Sequence, residues 1–78
     1  MKRNLLRFIA NRIYDGAHPS LDPNLSLTSI RKAFRLISDD LPHEAIRDLR
    51  RFELLDERGN LNRDAIMRIR IEIARKSK

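Results

Sequence analysis

The side chains that could do chemistry in this 78-residue chain are few, and their spacing is the first evidence. The only imidazoles, His18 and His43, lie far apart, and there is no cysteine. Zinc needs three or four nitrogen and sulfur ligands at short, regular spacing, so no metal site is expected. Asp39, Asp40 and Glu44 could be drawn as an acid/base set, but a chain this short offers no obvious cleft to tune them, and helix capping accounts for them more simply. The stretch DERGNLNRDAIM, residues 56–67, opens like a calcium-binding loop. The likeness ends at its third position, Arg58, its sixth, Leu61 rather than glycine, and its twelfth, Met67 rather than glutamate. No Ser–His–acid arrangement and no glycine-rich phosphate loop can be drawn, so neither enzyme activity nor a cofactor is expected.

Positive charge is the more informative chemistry. Net charge is +6, thirteen of the 17 basic residues are arginine, and the sequence pI is about 10.8. Two clusters could meet phosphates. The first is Lys2, Arg3 and Arg7, with Arg12 on the flank; the second is Arg47, Arg50 and Arg51, joined by Arg31 and Arg35. Guanidinium groups neutralise phosphates and pair with guanine edges, which makes nucleic acid the expected partner, DNA ahead of RNA. Phe8, Tyr14, Phe34 and Phe52 offer no stacking platform for single strands, since three of them fall on apolar stripes. Against a base-reading role, Asp39, Asp40, Glu44 and Asp48 crowd the start of the second cluster's helix.

These residues need elements to position them. Eleven Leu and nine Ile, with no Val, one Thr and one Tyr, favour helix over strand. The expected fold is an all-α, small four-helix domain with helices over 2–14, 27–38, 41–52 and 63–76. Residues 15–26, with Pro19 and Pro23, read as a linker that tacks Leu21 and Leu25 onto the core. Gly16 reads as a helix stop, Ser26 as an N-cap, and Asp39 or Asp40 as a cap for the third helix. Residues 53–61 suggest a turn or short β-ribbon, because Leu54 and Leu55 leave the helical stripe. The second and third helices could then form a helix-turn-helix with a rudimentary two-stranded wing.

The stretch AIMRIRIEIARK, residues 65–76, alternates like a strand. As a helix, however, Asp64, Arg68, Glu72 and Lys76 form a ladder of alternating sign, with Asn62 as cap. On that helix Ile66, Ile69 and Ile73 make one apolar stripe; Met67, Ile71 and Ala74 make another, with Arg70 between the two. One small core should need about one stripe, so Met67, Arg70, Ile71 and Ala74 are expected at a homodimer or partner-protein interface. The composition therefore points to a small basic regulatory or accessory protein that binds nucleic acid, DNA ahead of RNA, as a dimer. The rival expectation is a protein-interaction module docking a larger partner through the last helix, with no nucleic-acid role. No small-molecule substrate is expected, no stretch is apolar enough to span a membrane, and a cytoplasmic location is the default.

Overall fold

The computed structural model describes residues 2–17 and 21–76, with the side chains of all of these except residues 2 and 3. Its four α-helices are α1 (Lys2–Ala17), α2 (Leu27–Ile37), α3 (His43–Arg51) and α4 (Arg63–Lys76).

The apolar period of α1 buries Leu6, Ile9, Ala10, Ile13 and Ala17. The helix does not stop before Gly16 but runs through it to Ala17. Packing is the reason. A Cβ at Gly16 would lie 2.7 Å from Cγ2 of Ile37, so the missing side chain lets α1 and the end of α2 come together.

A turn at residues 22–25, closed by the Leu25 N–H donating to the Asp22 carbonyl at 3.0 Å, leads into α2. Ser26 caps that helix by accepting from the Ser29 N–H at 3.2 Å. The Asp22 carboxylate in turn accepts from the Ser26 hydroxyl at 2.6 Å and from the Ser26 N–H at 3.2 Å. Those bonds, the hydroxyl's first, hold Asp22 below the ordinary aspartate pKa. Leu21 and Leu25 pack against the core, as the linker reading expects.

Neither Asp39 nor Asp40 caps α3. Ser38–Asp40 is a 3-10 turn, Leu41 is extended with its side chain in the core, and Pro42 holds the N-cap position without a side-chain bond. Burying Leu41 moves the helix start beyond the reach of both acids. At its other end, α3 closes with the Glu53 N–H on the Arg50 carbonyl and the Leu54 N–H on the Leu49 carbonyl. This is a Schellman motif. Its left-handed position is Glu53, φ 57°, where glycine would be unstrained.

The ribbon reading reduces to one antiparallel bridge, Leu55 to Leu61. Asp56 tightens the turn between them, accepting from the Arg58 and Asn60 N–H groups at 2.9 and 3.0 Å, and Gly59 takes up φ 83°. Pairing ends at Asn62 because that residue already caps α4. Its Oδ1 accepts from the Ala65 N–H at 2.9 Å, while its Nδ2 donates to the Glu53 carbonyl at 2.7 Å.

Helix α1 packs on α2 and α4, α2 also meets α4, and α3 lies against α1. The shared core includes Phe34, Leu49, Leu54, Leu61, Ile69 and Ile73, with no buried polar side chain among the described residues. Also among them, no helix is long and apolar enough to cross a membrane.

Candidate functional site

Two outward surfaces hold most of the residues singled out from the sequence. The first is the face of α3 turned from the core. Ala45 and Leu49 bury one side of this helix. Arg47, Arg50 and Arg51, spaced three and four apart, share the opposite side and are exposed. Arg47 has a carboxylate only on its own helix, with Nε 4.0 Å from Asp48 Oδ1. The Arg51 guanidinium stands 6.0 Å from the centre of the Phe52 ring. Among the described residues, no carboxylate of another element pairs with any of the three. His43 is exposed at the start of the same helix.

The other predicted phosphate ligands are distributed differently. Arg31 leaves the cluster to pair with Asp56, its Nη2 3.0 Å from Oδ2. With the Asn60 and Arg58 amides contributing first, that contact holds Asp56 below the ordinary aspartate pKa. Arg35 lies beside Arg58 around an open polar depression that also includes Ser38 and Asn60. Arg7 pairs with Glu72, Nε to Oε2 at 3.5 Å. The side chains of Lys2 and Arg3, like His18, lie outside the described residues.

The second surface belongs to α4. Ile66, Ile69 and Ile73 are in the core, whereas Ile71 is 54% exposed and Met67 41% exposed. Arg70 and Ala74 turn toward the 21–25 segment. Arg70 Nη2 donates to the Asn24 carbonyl at 3.5 Å, and Ala74 borders a shallow depression with Tyr14, Leu21 and Leu25. The sequence reading missed Arg68 and Arg75 as part of this surface. They stand with Arg7, Leu6 and Glu72 around a groove beside Ile71. Their spacing from Ile71, three before it and four after it, carried the signal. The charge ladder forms only in its first rung, Arg68 to Asp64 at 3.8 Å. Glu72 reaches Arg7 and Arg75 instead, and the Lys76 ammonium stands 5.4 Å from the centre of the Tyr14 ring.

Chemically, the α3 face presents fixed positive charge to water, and the α4 face presents apolar surface edged by charges of both signs. No protein-family model matches the chain, and neither does any characterised protein or any solved structure compared with it.

Proposed function

We propose that the chain is a small nucleic-acid-binding accessory protein that contacts duplex DNA through the outward face of α3. The observation that carries this reading is the row Arg47, Arg50 and Arg51, exposed and without a carboxylate partner from another element among the described residues. Three guanidinium groups on one helical face suit consecutive phosphates. The order α2, turn, α3 fits a helix-turn-helix, and the 56–59 turn takes the place of a wing. Arg50 and Arg51 lie in the last turn of α3, whereas Glu44 lies in its first turn and Asp48 stands between Arg47 and Arg50. Contact would therefore rest on backbone phosphates more than on base edges, giving broad sequence tolerance.

A salt titration of binding to random-sequence duplex, followed by fluorescence anisotropy, tests this. Affinity should fall linearly in log–log form with salt, and replacing all three arginines with glutamine should flatten the slope by about 3. No binding to duplex at low salt would sink the DNA reading, and binding to structured RNA alone would redirect it.

The exposed Met67 and Ile71 favour a second reading, a protein-interaction module that docks through α4.

A further inference from the structure

We infer that the outer face of α4 pairs with α4 of a second copy of this chain, the two helices antiparallel across a two-fold axis. Asp64, Arg68, Ile71 and Arg75 recur at steps of four, three and four, which places them in one line along the helix. Met67 flanks that line, and it and Ile71 are the exposed large apolar residues of α4. The charges along the line are opposite at its two ends. An acid, Asp64, stands near the start of α4 and a base, Arg75, near its finish; their side chains are 66% and 68% exposed.

That order is complementary to its own reverse. When two copies meet head to tail, Asp64 lies opposite Arg75 of the partner subunit at both ends of the contact. Arg68 lies opposite Ile71 of the partner subunit, its aliphatic stem covering the isoleucine. A parallel pairing would set Asp64 against Asp64 and Arg75 against Arg75. The antiparallel arrangement also opposes the helix dipoles favourably.

The groups need not give up strong bonds to pair. Asp64 is held only by Arg68 at 3.8 Å, and Arg75 by Glu72 at 3.5 Å, both at exposed sites where ion pairs contribute little. Two short helices bury less than a standard interface, so the dimer is weak and concentration-dependent. It does not depend on the DNA reading, because none of its residues belongs to the α3 row.

Sedimentation equilibrium over roughly a hundredfold range of loading concentration measures the association, since mass action shifts the population across such a range. The wild-type chain should move from monomer toward dimer. Ile71→Arg should weaken association at least about tenfold while circular dichroism stays helical, because it sets a like charge against Arg68 of the partner subunit. Asp64→Arg and Arg75→Asp should each weaken it, and the double variant should recover it, which only antiparallel pairing allows. A wild-type chain that stays monomeric throughout would overturn the proposal, as would a double variant no better than the single ones. Replacing Arg47, Arg50 and Arg51 should leave the association unchanged, so failure of the DNA reading is seen separately.

Discussion

Helix α4 carries isoleucine on two sides, and the two sides meet different surroundings. Ile66, Ile69 and Ile73 fit between α1 and α2 and lose nearly all contact with water. Two residues along from Ile69, Ile71 keeps more than half of its surface exposed. Their intrinsic hydrophobicity is the same. What separates them is the position of α1 and α2, which close over one arc of the helix and leave the other open. The segment around Leu21–Leu25 reaches partway round, to Arg70 and Ala74. An apolar side chain stabilises the fold only where a neighbouring element exists to cover it.

The sharpest test of this contrast is a pair of equal truncations. Ile69→Ala removes atoms from a fully buried site and should cost about 2–5 kcal/mol in chemical denaturation. Ile71→Ala takes away the same atoms and should stay within about 0.5 kcal/mol for the monomer. Equal costs for the two would break the comparison. Gly16→Ala probes how closely the covered side is packed. The added methyl meets the stiff, branched Ile37, so a loss of about 1 kcal/mol is expected although alanine favours helix. A gain would mean that the α1–α2 contact yields. The smallest expected change lies at the turn leading toward α4. Glu53→Gly relieves a left-handed residue and should raise stability by about 0.5 kcal/mol, moving the buried and open stripes together. Thermal unfolding of this variant alongside wild type checks the sign.

Much of the fold is legible in the sequence because its causes are local. Ser26 and Asn62 cap the helices that follow them, using amides three residues away. The 3.6-residue period separates Ile66, Ile69 and Ile73 from the charged arc, and the linker leucines reach the core. What escapes a linear reading depends on distant partners. Gly16 resembles a helix stop until Ile37 is seen against it, and Glu53 stands where a glycine would advertise the end of α3. Asp39 and Asp40 look like caps because the extended backbone of Leu41 is invisible in one dimension. Arg31 groups with the α3 arginines by charge, yet it is held by Asp56 across the fold. The ladder on α4 is broken by Arg7, which draws Glu72 away from Arg68. The charges of the candidate site can thus be counted from the sequence, but which of them are neutralised cannot.

The packing of α1 on α4 has a consequence for how the chain folds during synthesis. The contact joins Arg7 to Glu72, so most of the polypeptide must be made before α1, already able to pack on α2, finds its second mate. Until α4 emerges, α2 and α3 cover only part of the apolar side of α1, and the nascent segment presents a sticky surface. A chain released before residue 63 would retain its local turns and nascent helices but not a closed interior, which makes α4 the step that commits the molecule.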